Sequence, residues 1–529
     1  MTTIRITTTV RRAAVAAAAV ALAAGGVASC DKHVSPTEVL PALQPASLDA
    51  NAGGWRMLVL SGPDQIAVPA PAAVTSAAYR AELDSVRSAQ THVSDAQRQA
   101  VAYWGGGGVL RWNEIQRELT ARFNLPPAPR GDGTYVFPDA KNPFADPQFP
   151  FANPPYAARA YSYVAVAQYE ALKAAWYWKY QYGRPAPARV DTTLVGPAVA
   201  AGSVRPSALP AYPSEAAVLA GVTSEMLKLL FPVAADEITR HAAEEQQAAL
   251  VAGTATPSDI AAGAALGRAV AAAIVARAKA DGMGAAVGNA AQWQALADSA
   301  TARGEIAWVS QDAPARPPML PGFGRVKAWT MSSAQLDSLR PPAPPSTGSA
   351  QMRAELAEVK RTVDGLTRDQ VAITQRWNDG AGTYTPPGHW NDIASAYVRD
   401  ARMSEVRAAR AFALLNMAMH DAAVGCWRVK YQYFNPRPAQ LDPSIKTAIG
   451  LPNFPSYPSG HSTFSSAAAG VLAYLFPAGA NTFAAQADEA GTSRLYGGIH
   501  YRSDVAGGKL HGQRIGAAVV GLARGDGAD

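Results

Sequence analysis

The chain is predicted to be an all-α protein built from two related helical bundles, with its chemistry in the C-terminal bundle. Three observations lead there. First, 44 Gly and 40 Pro are spread through an Ala-rich chain of 529 residues, so helical segments are cut by frequent hard stops. Second, the period-two alternation of half-buried strands is scarce. Third, the chain repeats itself. Arg159–Tyr182 matches Arg410–Tyr433 at an offset of 251, aligning Arg159 with Arg410, Trp176 with Trp427 and Lys179 with Lys430. Tyr212-Pro213-Ser214 matches Tyr457-Pro458-Ser459 at an offset of 245. The same offset holds from Phe231-Pro232 through Ser258-Asp259 to Gly263 and Gly267. An offset this constant reads as internal duplication. Upstream, Trp112-Asn113 resembles Trp390-Asn391 more weakly.

Residues 1–29 read as a lipoprotein-type signal peptide. Arg5, Arg11 and Arg12 precede the apolar run Ala13–Ala24, which is too short to span a bilayer. Val27-Ala28-Ser29-Cys30 then resembles a bacterial lipobox, with cleavage before Cys30 and lipidation of its thiol. Plain cleavage near Ala28 is the alternative. Either way the product is exported, and a lipid on Cys30 would hold it on a membrane face, periplasmic or at the cell surface. The three arginines of this segment carry half of the formal net charge of +6, so the mature chain does not call for a nucleic-acid partner. With Cys30 lipidated, Cys426 has no cysteine to pair with and reads as a small buried apolar residue. The body has no run of about 18 apolar residues, which argues against a polytopic membrane protein.

Residues 30–90 have little periodicity and are expected to be a tether and irregular lead-in. The first bundle is placed at 91–285 and the second at 360–525. Between them, 286–359 reads as a Pro-rich linker region, through DAPARPPMLPGFG and RPPAPPSTGSA. In the second bundle, Leu414, Ala418 and Val424 form an apolar stripe on one predicted helix. Phe464, Ala468, Val471 and Leu475 mark another, which Pro477 stops. Ser503-Asp504 is a plausible N-cap for a third, through Ile515, Val519 and Leu522, with Gly508, Gly512 and Gly516 leaving room for a close neighbour.

Three segments of the second half carry chemistry: Lys430-x6-Arg437-Pro438, Tyr457-Pro-Ser459-Gly460-His461-Ser462, and Ser493-Arg494-x5-His500-x3-Asp504. Together they supply three cations, a hydroxyl, a glycine amide at a helix start and two histidines. That inventory suits a tetrahedral oxyanion. Lys430, Arg437 and Arg494 balance its charge, and Ser459 with the Gly460 N–H offers donors at a helix N-terminus. One histidine can bond to the central atom while the other moves protons. Asp504, four residues past His500, can hold one ring tautomer.

These motifs, in this order and spacing, resemble the superfamily of type 2 phosphatidic acid phosphatases, bacterial class A acid phosphatases and vanadium-dependent haloperoxidases. The resemblance implies that Lys430, Arg437 and Arg494, with Ser459 and Gly460, bind the equatorial oxygens of phosphate or vanadate. It makes His461 the acid/base. His500 becomes the phosphorylated nucleophile of a phosphatase or the vanadium ligand of a haloperoxidase, and Asp504 orients it. His389 and His420 are expected to be structural, and Arg502 and His511 to lie on the surface.

The first half lacks this chemistry. At the offset of 245, Gly460, His461, Arg494 and His500 become Glu215, Ala216, Ala249 and Ala255. It reads as a scaffold, with Lys179 and Arg184 left as vestigial or salt-bridging residues. Two soluble bundles with the site in the second most resemble the bacterial haloperoxidase branch, which implies vanadate as cofactor and peroxide and halide as substrates. The alternative is a cofactor-free acid phosphatase acting on a phosphoester through a phosphohistidine at His500. A non-catalytic exported scaffold is the third reading, and association into an oligomer stays open in all three. One departure from the family is the short interval from Arg437 to Ser459, in the loop that shapes the pocket mouth.

Overall fold

The computed structural model describes residues 40–125, 129–134, 154–195 and 208–528. The expected signal segment and Cys30 lie outside the described residues. Among the described residues there is no strand, in keeping with the all-α expectation.

Helices α1 (Ala77–Thr91), α2 (Asp95–Trp104) and α3 (Gly108–Phe123) come first. The first bundle follows, with α4 (Pro154–Tyr182), α5 (Glu215–Leu230), α6 (Ala235–Val251) and α7 (Pro257–Lys279). Next come α8 (Ala290–Ala302), α9 (Ala350–Asp364), α10 (Arg368–Arg376) and α11 (Thr385–Asp400). The second bundle is α12 (Glu405–Tyr433), α13 (Gly460–Leu475), α14 (Ala480–Tyr496) and α15 (Arg502–Ala523). The four helices of the first bundle have 29, 16, 17 and 23 residues, and those of the second 29, 16, 17 and 22.

Helices α4 and α12 are the axes of the two bundles and pack against each other. Each is buried over most of its circumference, as a helix without a strong polar face must be. An arginine that each carries inward is matched by an aspartate. Arg159 of α4 meets Asp281 and Arg410 of α12 meets Asp526, both at 2.7 Å, each partner lying just past its bundle's last helix. Asn113 and Asn391, paired on the weaker sequence match, hydrogen-bond to each other at 2.8 Å.

Segments expected to be loose are bound down. In the lead-in, Leu58, Val59 and Leu60 donate their N–H groups to the buried Glu170, which also pairs with Lys173 at 2.7 Å. The Pro-rich stretch between the bundles runs along the second one as a wall. Met319 O accepts from Trp427 Nε1 at 3.2 Å and Tyr431 Oη at 2.5 Å, and Pro342 O accepts from Tyr457 Oη. A proline-rich chain has few N–H donors but keeps its carbonyls, which buried aromatic side chains can use.

Two helix pairs approach closely through glycines. A Cβ added at Gly512 of α15 would lie 2.2 Å from the Thr463 carbonyl oxygen of α13, and one at Gly508 2.6 Å from that of Ser459. In the first bundle, Gly267 of α7 would stand 2.3 Å from the Val218 oxygen of α5. The segment Pro257–Ala285 is long and apolar enough by composition to cross a membrane, yet α7 within it is docked on α5 by these contacts. His511, expected at the surface, is instead buried against Gly425 of α12, because its side of α15 faces the bundle axis.

These contacts predict opposite effects for two alanine substitutions in α15. Gly512→Ala should destabilise the fold by at least about 1–3 kcal/mol through backbone overlap with α13. Gly521→Ala, at an exposed helical position where a Cβ meets nothing within 4 Å, should stabilise it by about 0.5–1 kcal/mol. Denaturant midpoints of the two variants against the parent chain check both signs.

Candidate active site

The three motifs converge where the end of α12, the start of α13, the end of α14 and the start of α15 meet. Lys430, in the last turn of α12, is fully buried. Its ammonium donates to the carbonyls of Pro455 and Ser456 at 2.8 Å each and Pro458 at 2.6 Å. All three donors are therefore taken. The sequence expectation had Lys430 contacting an oxyanion directly; here it staples the 455–458 loop and offers the site its charge.

Arg437 sits on the loop after α12. Its Nε donates to Phe454 O at 3.0 Å and its Nη1 to Ile499 O at 2.8 Å, with His500 Nε2 3.1 Å away. Its Nη2 is buried and has no partner among the described residues. Arg494, at the end of α14, donates Nε to Ser493 Oγ at 2.9 Å and Nη2 to Trp377 O.

His500 Nδ1 lies 2.9 Å from Asp504 Oδ2. The same oxygen accepts from Ser456 Oγ at 2.5 Å and from Tyr501 N at 3.0 Å. A carboxylate so placed puts the proton on Nδ1 and leaves the Nε2 lone pair facing Arg437. Asp504 also serves α15, but as the third helical residue reaching back to an N-cap at Tyr501, so the expected cap at Ser503-Asp504 is moved. Ser459 is the N-cap of α13, its Oγ accepting from Ser462 N at 3.4 Å and its own N–H donating to Asp504 O at 2.9 Å. At Gly460 a Cβ would meet only Phe464 at 3.6 Å and Trp427 at 4.0 Å. No protein atom demands glycine there, and its absent side chain leaves the helix start open.

His461 Nε2 stands 3.7 Å from Asp379 Oδ2, an ion-pair distance rather than a hydrogen bond. Asp379 lies between two histidines, because His389 Nδ1 is 3.1 Å from its Oδ1. The His389 ring stacks on Trp377 with centroids 4.3 Å apart. His420 lies elsewhere, fully buried, with its Nε2 3.4 Å from Lys327 O, so it stays structural.

Burial dominates the electrostatics of this cluster. It pulls His500 well below the ordinary histidine value, and Arg437, Lys430, Arg494 and His461 add to that. Burial, then Arg494, takes His461 to about 4. Burial also lowers Lys430, Arg437 and Arg494, the two arginines to about 10. Asp504 is pushed up by burial to about 6, against its hydrogen bonds from Ser456 and Tyr501. Three desolvated cations thus face two buried carboxylates, and the surplus is positive.

Residues 410–525 match the family model of the PAP2 superfamily, a stretch that runs from Arg410 of α12 through α15. Over that stretch the second bundle is similar to the PAP2 superfamily. Beyond that match, the fold is similar to that of a bacterial vanadium-dependent iodoperoxidase, with a TM-score of 0.53 and 23% identity over 72% of this chain and 93% of that one. A holo-type bacterial vanadium-dependent chloroperoxidase aligns with a TM-score of 0.48 and 14% identity over 73% of this chain and 96% of that one. No curated protein matches the chain.

Within the PAP2 bundle, the residues fit an oxyanion such as vanadate or phosphate. The observations are the unpartnered Arg437 Nη2, the open helix start at Gly460, the surplus of buried cations and the unprotonated His500 Nε2, which faces Arg437 Nη1 at 3.1 Å. Among the described residues, no group of three His, Cys, Asp or Glu side chains could hold a metal cation. Sequence reasoning missed Ser456 and Asp379. Ser456 is in the same loop as the Ser459-Gly460-His461 motif, but nothing in its identity marks it. Asp379 lies outside every motif, and its one signal was that His389 lay ten residues on in a Trp-flanked segment.

The histidine geometry makes a direct spectroscopic prediction. His461 should stay neutral down to about pH 4, whereas His389, which Asp379 raises against the opposing pull of burial, should gain its proton at a higher pH than an ordinary histidine. Asp379→Asn removes that support, so His389 should then titrate lower than in the parent chain. Histidine-ring NMR across pH 3.5–8, assigned with a His389→Gln variant, reads both shifts (roughly one unit either side is resolvable).

Proposed function

We propose that this protein is a vanadate-dependent haloperoxidase that uses peroxide to oxidise halide at the PAP2-bundle site. The observation that carries the reading is His500, whose Nδ1 is held by Asp504 while its Nε2 faces the buried, partly unpartnered Arg437. The two-bundle fold shared with the iodoperoxidase supports halide oxidation over the alternatives.

In this reading His500 Nε2 would hold vanadate, which when bound supplies a Lewis-acidic centre that activates peroxide without changing oxidation state. Arg437, through its unpartnered Nη2, and Arg494 would balance the charge of that oxyanion, and the Gly460 N–H would add a donor at the α13 start. Lys430 adds positive charge while fixing the 455–458 loop. His461, neutral at physiological pH, accepts a proton at Nε2, and the nearby Asp379 carboxylate favours the imidazolium that forms. Asp504 keeps the His500 proton on Nδ1 throughout.

The second reading is phosphoester hydrolysis, and the same His500 lone pair supports it. There Nε2 attacks phosphorus in line, His461, which the bound phosphoester's negative charge and Asp379 would bring into its imidazolium form, protonates the leaving oxygen, and water releases the phosphohistidine. The arginines serve both readings, since both put charge on equatorial oxygens. Export with a lipid on Cys30 also belongs to the proposal, on the strength of the lipobox pattern. Mass spectrometry of the membrane-extracted protein, showing a diacylglyceryl-modified N-terminal cysteine, would support it.

The deciding assay uses protein stripped of metal in phosphate-free buffer. Halide oxidation by peroxide should rise with added vanadate, and His500→Ala should lose at least about 1,000-fold of it. Efficient hydrolysis of p-nitrophenyl phosphate that vanadate inhibits, with no halide oxidation, would overturn haloperoxidase in favour of phosphatase. Asp504→Asn should cost about 10–100-fold in vanadate affinity or turnover, because the ring loses its fixed tautomer. An unchanged Asp504→Asn would remove Asp504 from the site.

A further inference from the structure

A cavity of about 570 Å³ lies in the N-terminal part of the molecule, and none of the PAP2-site residues lines it. Leu43, Val101, Trp176 and Leu209 give it a largely apolar wall. Its polar groups are mainly acids: Glu215, Glu245 and Glu405. The position is telling. Glu215, Ala216 and Ala249 line it, and at the offset of 245 they stand where the second bundle has Gly460, His461 and Arg494. The place that is an anion site in one half is, in the other, an apolar chamber with carboxylates.

The cations around it are already engaged. Lys179, aligned with Lys430, pairs with Glu215 at 2.7 Å and donates to Pro210 O at 2.6 Å. Arg98 sits at the exposed rim and pairs with Asp95. Glu405 is held by the N–H groups of Gly108 and Val109 at 2.6 and 3.0 Å, at the start of α3. Glu245 is only 2% exposed. Its Oε2 accepts from Trp112 Nε1 at 2.7 Å, and its Oε1 has no hydrogen-bond partner among the described residues. Neither Glu245 nor Glu405 has a cation partner among the described residues. Burial pushes both up, Glu405 to about 7, and the carboxylates repel one another.

A buried carboxylate without a counter-charge either takes up a proton or draws in a cation, and an ammonium ligand supplies the second route. A cavity of this size, apolar but for a few converging polar groups, is the usual form of a small-molecule site. We propose that this chamber binds an apolar amine, its ammonium donating to Glu245 Oε1 and its hydrocarbon body filling the space between Trp176, Val101 and Leu209. A neutral alcohol would fill the same volume but leave the acids without a counter-charge, and an apolar acid would add to their repulsion. The proposal is independent of the reaction at His500.

Calorimetric titration of the full chain tests it with three probes on one skeleton: phenylbutylammonium, phenylbutanol and phenylbutanoate. The amine should bind with one site per chain, at least about tenfold tighter than the alcohol, as a charge-assisted hydrogen bond requires, and the acid should not bind. Glu245→Gln should bring the amine down to the affinity of the alcohol, which itself stays unchanged. Ala249→Trp, which fills the chamber, should abolish binding of both, and it serves as the second variant if Glu245→Gln does not fold. Equal affinity for amine and alcohol, amine binding that survives both substitutions, or no binding by any probe would overturn the assignment.

Discussion

The Asp504 carboxylate receives donors from three places: a ring nitrogen of His500, the hydroxyl of Ser456 and the main-chain N–H of Tyr501. One group therefore closes the first turn of α15, anchors the loop that precedes α13 and sets the tautomer of His500. Ser459 donates its own N–H to the Asp504 carbonyl, so the start of α13 is tied to the same residue. Lys430 reinforces the loop from the other side by filling three of its carbonyls. The closeness of α13 and α15, allowed by Gly508 and Gly512, is what brings these partners within reach. A bulkier seam would separate the Ser459 helix start from His500 and disassemble the site without touching any residue in it.

The two bundles share an element order and close helix lengths, yet they handle buried charge in opposite ways. The second concentrates cations beyond what its carboxylates neutralise, and burial lowers the pKa of each of them. That surplus of buried positive charge suits an anion. Around the chamber, carboxylates gather instead, with Lys179 committed to Glu215, and burial raises Glu245 of the first bundle and Glu405 at the start of α12. The contrast rests on a handful of positions: glutamate for glycine at the helix start, and alanine for arginine and both histidines. The buried Arg–Asp pairs, Arg159 with Asp281 and Arg410 with Asp526, are alike in both halves because they hold the frame rather than the chemistry.

Much of the site was legible in the sequence because its residues fall in short motifs. Within a helix or a tight turn, spacing nearly dictates relative position, so His500 and Asp504 at four apart had to be neighbours. The helices were legible for the same reason, from periodicity and proline stops. Asp379 was not legible, since it reaches His461 from a segment more than 80 residues away and belongs to no pattern. Nor was the commitment of Lys430: a lysine in an anion motif reads as an anion ligand, and its three main-chain acceptors appear only when the 455–458 loop is folded over it. The Pro-rich segment was legible only as a boundary between the helical halves. Its composition forbids helix, but says nothing against packing along a bundle through its carbonyls.

By itself, then, the sequence determined the all-α class, the positions of the core helices, the residues of the candidate site and their absence from the first half. These are local properties, written in spacing and residue type. Tertiary structure alone decided which donors remain free, which charges stay uncompensated and where a chamber opens. Those depend on groups brought together from distant parts of the chain, and on a balance of burial against pairing that no single segment carries.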